Sequence, residues 1–222
     1  MDEYLDYYDI DGKLLGNATR KVIHTEGMWH KTFHCWIIFK KENGQDYILM
    51  QRRSSAKDSA PNKLDCTVAG HYLMGESYKD GIREIKEEIG LDISVDELAP
   101  AGVRIAESIS ADGRINREFQ EIFFVNKAVS LFELSLQKEE VAGMIEMPID
   151  SCIRVLSGSL SSFSARGIFV DYAQNFNLNV FNQKISSKDF IIFNDNFHHK
   201  IMILAKQALL GDRLMKPFET AF

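Results

Sequence analysis

Proline is scarce in this chain, four in 222 residues, and its three cysteines stand far apart as Cys35, Cys66 and Cys152. So little proline argues against a long disordered linker. An odd number of widely spaced cysteines suggests neither a disulfide framework nor a zinc motif, which fits a reducing compartment. No apolar run approaches the roughly 18 residues that would span a bilayer. Positive charge is in deficit, 26 Lys and Arg against 32 Asp and Glu, so the net charge is −6 and no basic footprint for nucleic acid stands out. The opening MDEYLDYYD lacks the basic and apolar regions of a signal peptide, and a cytoplasmic protein is the expectation. The rest, 45% hydrophobic and 26% charged, is ordinary globular composition. The length suits one domain over residues 1–157, with a C-terminal extension, 158–222, packed on it.

Strand and turn signals dominate the first half. Residues 3–16 read as a hairpin turning at Asp11-Gly12, and 32–40 with 46–53 as a core hairpin around Glu42-Asn43-Gly44. Further strands are expected at 101–109, 117–125 and 142–147, and Pro148 opens a helix to about residue 157. The extension holds a Ser-rich stretch, a polar aromatic segment and an amphipathic helix near 198–210, and is expected to dock as helices. Mixed strands and helices predict an α/β fold with helices on both sides of a mixed sheet, its strand order left open.

One segment concentrates charge. In GHYLMGESYKDGIREIKEEIGL, residues 70–91, Glu84, Glu87 and Glu88 fall on one face of a helix, while Ile82, Ile85 and Ile89 fall on roughly the opposite side. Ser77 with Asp80 suits a capping box and Gly90 a C-terminal stop. Like charges at i and i+4 cost a few tenths of a kcal/mol, so the acidic face is either solvated or gathered round a cation. Hard divalent ions take oxygen ligands of this kind.

The same stretch resembles the Nudix box, Gx5Ex7REUxEExGU with U apolar. Gly70, Glu76, Arg83, Glu84, Ile85, Glu87, Glu88, Gly90 and Leu91 occupy its fixed positions, although Glu76 and Arg83 are separated by one residue fewer than the pattern has. The shortening should alter the helix start and leave the acidic face in register; it leaves the role of Glu76 open. The resemblance implies a Nudix α/β/α sandwich and hydrolysis of a small diphosphate compound, such as a nucleoside diphosphate linked to another group. It implies Mg²⁺ or Mn²⁺ held by Glu84, Glu87 and Glu88, with one of these glutamates available as base. Arg83 would orient a glutamate by a charge-assisted bond.

The flanks, HTEGMWHKTFHCWIIF and LMQRRSSAKDSAPNKLDCTVAGH, look like isopentenyl-diphosphate isomerase, itself of Nudix fold. That likeness implies a metal role for His24, His30 and His71, diphosphate contacts for Arg53 and Lys57, and a metal-linked, catalytic role for Glu121. Glu121 shares a strand face with Phe119 and Phe123, where burial without a partner would be costly. Glu118, of opposite parity, is expected to be solvated. His71 is also a candidate to face substrate, and His30 and His34 are either site residues or hydrogen-bonded core histidines. The isomerase, however, has a cysteine where this chain has Ala69, and strand parity puts Cys66 on the other face. With the acid set complete, hydrolysis is favoured over isomerisation, and both over a non-catalytic diphosphate-binding module. The expected partner is a small diphosphate substrate, with no nucleic acid or membrane; a homodimer is left open.

Overall fold

The computed structural model describes residues 2–57, 59–109, 113, 115–171 and 177–211. Within them eleven strands join in a single sheet. Strand β1 (Tyr4–Tyr8) and β2 (Leu14–Thr19) form the expected N-terminal hairpin. A short helix, α1 (Arg20–Glu26), then leads into the long β3 (Trp29–Lys40). Next come β4 (Asp46–Arg53), β5 (Leu64–Asp65) and β6 (Val68–His71), and the acidic segment as α2 (Tyr78–Gly81) and α3 (Arg83–Ile89). β7 (Ala99–Ile109), β8 (Ile115–Asn126), β9 (Val141–Pro148) and α4 (Ile149–Leu156) follow. The tail adds β10 (Phe163–Asp171), β11 (Asn177–Ile185) and α5 (Phe197–Leu209).

β3 organises the sheet. It runs parallel to β8 from Trp29 with Arg117 to Ile38 with Asn126, and antiparallel to β1, β4 and β6. Its side chains alternate cleanly between two cores. Phe33, Cys35 and Ile37 pack with Ile85 and Ile89 of α3. Trp36 and Ile38 pack instead with Ile149 and Cys152 of α4 and with Phe197 and Ile201 of α5. Helices therefore cover both faces, as the sequence suggests. Ile85 and Ile89 are fully buried, and truncating either to Ala would cost about 2–5 kcal/mol.

Two expectations need correcting. The extension is not purely helical: β10 pairs with β9 and β11 with β10, so the tail lengthens the sheet before α5 closes over it. The polar residues of 163–185 hid this, because a strand pair at the end of a sheet needs few apolar side chains. Residues 212–222 lie outside the described residues. Arg104 ties tail to sheet: its Nε and Nη2 donate to Asp195 at 2.8 and 3.1 Å, and its guanidinium lies over the Phe193 and Phe197 rings. Second, the parity argument about Cys66 fails. The strand breaks between β5 and β6, and Cys66 borders the same core as Ala69. Cys66 is fully buried there, and burial pushes its thiol well above the usual range.

A braced acidic helix and a histidine cluster on opposite faces of one strand

The acidic segment opens at Ser77, whose N and Oγ both donate to Asp80 Oδ2 at 3.0 and 2.9 Å, and closes at Gly90 with φ 78°, as the capping signals predict. It is not one continuous helix. Between α2 and α3, Ile82 accepts from Ile85 N at 3.1 Å, a tightened turn that takes up the missing residue. The acidic face stays in register.

Arg83 braces that face. Its Nε and Nη2 grip both oxygens of Glu76 at 3.0 and 3.1 Å, its Nη1 donates to Glu84 at 2.7 Å and Glu87 at 3.1 Å, and its Nη2 also reaches the His71 carbonyl at 3.3 Å. Glu76 is in turn fixed by Leu73 N at 2.7 Å. Its part is thus to hold the arginine that holds the acids. Glu84 lies flat against β6, where a Cβ on Gly70 would come within 2.1 Å of its carboxyl carbon. No residue larger than glycine leaves Glu84 that position.

Burial and charge work against ionisation here. Glu88 is 3% exposed, and its nearest donor is Gln51 Nε2 at a long 3.4 Å. Burial, with Glu84 adding to it, raises its carboxyl well above the usual range. Burial likewise pushes Glu84 up to about 7, Arg83 pulling it down and Glu87 pushing it further up. Glu87 is half exposed. Clustered, partly protonated oxygens of this kind are what a divalent cation compensates, so the residues present fit Mg²⁺ or Mn²⁺.

The diphosphate candidates are already engaged. Arg53 donates to Asp65 Oδ2 at 3.0 Å and to the Ser59 carbonyl from Nε and Nη2 at 3.2 and 2.9 Å, closing the loop between β4 and β5. Lys57 is paired with Glu140. The charges of both Lys57 and Arg53 act on Glu88, which sets them at the edge of the acidic site.

On the other face of β6 the His71 ring joins His24 of α1 and His30 of β3, with ring centroids 4.9–5.2 Å apart. One nitrogen from each lies within 4.8 Å of the others. Burial lowers all three, His24 falling to about 4, and neighbouring imidazoles add to it at His24 and His71. His30 Nε2 and His71 Nε2 are buried without a hydrogen-bond partner. Three neutral imidazoles aimed at one point suit a borderline divalent ion.

Here the structure reverses the expectation for β8. Glu118 is not solvated: its side chain is 13% exposed, 3.9 Å from His30 Nε2, and held by Asn116 Nδ2 and Gln120 Nε2 at 2.7 and 2.5 Å. Burial pushes its carboxyl up, but His30, His34 and those donors outweigh it and hold the group low. Glu121 lies on the opposite face, accepting from Tyr72 Oη at 2.9 Å with Lys31 Nζ 3.5 Å away, and does not join the histidines. The parallel pairing of His30 with Glu118 decides this, and pairing partners are not readable from one strand's sequence. His34 is buried on the histidine side.

The structure thus sets a glycine-seated, arginine-braced acidic helix against a mixed sheet between helices. The NUDIX domain family matches residues 28–157. An uncharacterised Nudix hydrolase of Clostridium acetobutylicum is 35% identical over 95% of this chain and 98% of its own length. Nudix hydrolase 3 of Arabidopsis thaliana is 29% identical over 80% of this chain, which spans 23% of that longer protein. Isopentenyl-diphosphate delta-isomerase 2 of Photorhabdus laumondii is 27% identical over 55% of this chain and 66% of its own length. A crystal structure from Deinococcus radiodurans shares the fold, with TM-score 0.52 and 20% identity over 70% of this chain and 90% of that one. The chain belongs to the Nudix family and is a Nudix hydrolase. Among the described residues no helix is long and apolar enough to cross a membrane.

Proposed function

We propose that this hydrolase cleaves the phosphoanhydride of a small diphosphate compound in a reaction that depends on Mg²⁺ or Mn²⁺. The observation that carries it is the seating of Glu84 on Gly70 under the Arg83 brace, beside buried Glu88. Glu84, Glu87 and Glu88 would hold the cation, which when bound supplies charge neutralisation on the phosphate oxygens and acidifies water. Arg83 keeps two of these carboxylates from swinging away. Lys57 is the cation best placed to meet a phosphate, since Arg53 is spent on the loop. Water attacks phosphorus, the bridging P–O bond breaks towards the departing phosphate, and the water's proton passes to a carboxylate of the site. Three fully buried free thiols accord with a reducing cytoplasm. A screen of nucleotide, sugar, coenzyme and prenyl diphosphates with Mg²⁺, read as phosphate or monophosphate release, tests this. Release that persists in EDTA or in Glu88→Gln refutes it.

A second reading, isomerisation of isopentenyl diphosphate, is favoured by the histidine cluster with Glu118 beside it. It needs a proton donor at carbon. Ala69 cannot supply one, and Cys66 sits in an apolar core with its thiol held protonated. Incubation with isopentenyl diphosphate in deuterated water discriminates: deuterated dimethylallyl diphosphate at catalytic rate would establish the isomerase.

A further inference from the structure

Among the described residues the sheet ends at β11, which has a neighbour, β10, on one side only. The β10–β11 ladder runs from Phe163 with Ile185 to Asp171 with Asn177 without a register shift, so its outer edge is regular. Such an edge presents backbone N–H and C=O groups to any other strand unless a bulge or charged side chains guard it. β2, at the opposite end of the sheet, is short, and its register breaks between Tyr7 and Tyr8. β11 has no such guard. Its one charged residue is Lys184, near its end, in a chain of which 26% is charged. Val180 and Phe181 are 37% and 42% exposed, and successive strand residues point to opposite faces.

Beside this edge, on the face that carries α3, lies a groove of about 440 Å³ between Val170 of β10 and the 134–139 loop, walled by Leu134, Leu136 and Glu139. The loop is bonded to the end of the acidic helix, Ser135 N and Gln137 N donating to the Ile89 and Glu88 carbonyls at 3.0 and 2.8 Å.

We propose that β11 is the interface for a second copy of this chain, the two β11 strands pairing antiparallel about a two-fold axis at Phe181. Centring on Phe181 uses the whole strand: Asn177 faces Ile185 of the second copy, and Val180 faces Asn182. It sets the two Phe181 rings together as an aromatic cross-strand pair. Each ring is already held against Phe169 of its own chain, with centroids 4.4 Å apart. Charge selects the same partner. Lys184 of the second copy faces Leu178, whose ladder partner is Val170, so it lies on the groove side, where Glu139 offers the opposite sign. Glu139 is 60% exposed and paired within its own chain to Lys138 at 3.7 Å, a surface contact that yields readily. No like charges are brought opposite each other along the strand. The second copy thus reaches the acidic helix through the loop bonded to its end.

Sedimentation velocity of the full chain over about 1–100 µM, the weak end of specific interfaces, reads this apart from activity. The expected species is a dimer. Phe181→Lys sets two ammonium groups together at the axis and is expected to weaken the dimer by at least about tenfold, as is Phe181→Glu. An equal mixture of the two variants is expected to restore it. Lys184→Glu is expected to weaken the dimer by about fivefold, and Lys184→Glu with Glu139→Lys in one chain to recover it. Leu15→Lys, the like change on β2, is expected to leave it intact. Thermal melts show whether each variant keeps the fold; if Phe181→Lys melts early, Val180→Lys with Asn182→Lys replaces it, since these face each other across the axis and spare the stack on Phe169. A chain that stays monomeric at the top of the concentration range overturns the proposal. So does a dimer that the lysines on β11 leave intact, a Lys and Glu mixture that fails to reassociate, or a dimer that Leu15→Lys dissociates.

Discussion

Gly70→Ala isolates the seat of Glu84 from the fold around it. The new methyl would stand 2.1, 2.3 and 2.6 Å from Glu84 Cδ, Oε1 and Cγ. Those atoms end a flexible side chain, so the conflict resolves by swinging the carboxylate out and leaving the backbone in place. The cost is local: Glu84 gives up its 2.7 Å bond from Arg83, a charge-assisted interaction of about 1.5–3 kcal/mol, and its position on the cation. The expected loss in kcat is at least about 100-fold, equivalent to about 2.7 kcal/mol at the transition state. Stability should move the other way or not at all, because Glu84 is raised by burial and the displaced carboxylate regains water. The assay is thermal melting beside calorimetric titration of Mn²⁺, neither of which needs the substrate. An unchanged melt with Mn²⁺ affinity lowered by at least about tenfold supports the seat. Native Mn²⁺ affinity would refute the reasoning, and so would a collapsed melt.

Glu88→Gln keeps the shape and removes a carboxyl that burial raises well above its ordinary range; it should raise the melting temperature of the metal-free protein at pH 8 while abolishing Mn²⁺ binding, and a lowered melt would contradict the assigned burial cost. Glu84 titrates at about 7 in the fold against an ordinary 4.5 for an exposed glutamate, so the folded form holds its proton more tightly. Metal-free stability is then greatest below about pH 4.5 for this group and falls by about 3 kcal/mol as pH rises to about 7, with added Mg²⁺ restoring it; flat urea midpoints over that window would rule this out. Deleting residues 158–222 should prevent folding, since Ile168, Ile185, Phe190, Phe197 and Ile201 leave the core at about 2–5 kcal/mol each against a total stability of about 5–15 kcal/mol. A soluble, cooperatively melting 1–157 fragment would show the tail to be dispensable.

What was legible in the sequence was local. Periodicity placed the acids and isoleucines of α3 on opposite sides, and capping residues marked both ends, because these depend on neighbours three or four positions away. Alternation and turn signals found β3 and β4 for the same reason. Illegible were features that depend on distant pairing. Glu118 looked solvated until β8 paired in parallel with β3 and set it beside His30. Helix α1 was missed because it is short and buries Ile23 alone, too little for a periodic signal. The tail strands were missed because their few core residues, Ala165, Ile168 and Ile185, are spread among polar neighbours without a sustained alternation.

The two clusters meet at β6, and the strand's own geometry explains why both can exist. Successive residues point to opposite faces, so Gly70 receives Glu84 on one side while His71 turns its ring to His24 and His30 on the other. Their electrostatics are complementary: burial leaves the carboxyls of one short of ionisation and the imidazoles of the other neutral. A cation would relieve the first and exploit the second. The two differ in what they offer to chemistry. The acidic side has a charged brace, a lysine at its edge and carboxylates able to take a proton. The histidine side has a low-lying Glu118 with every ring already neutral, and an alanine where carbon chemistry would need a thiol. Arg83 joins them, because the guanidinium that holds Glu84 also bonds the His71 carbonyl. A shift of His71 would therefore be felt at Glu84 through one side chain, which gives the histidine face a physical route to the acidic one even when the bond-breaking happens wholly on the latter.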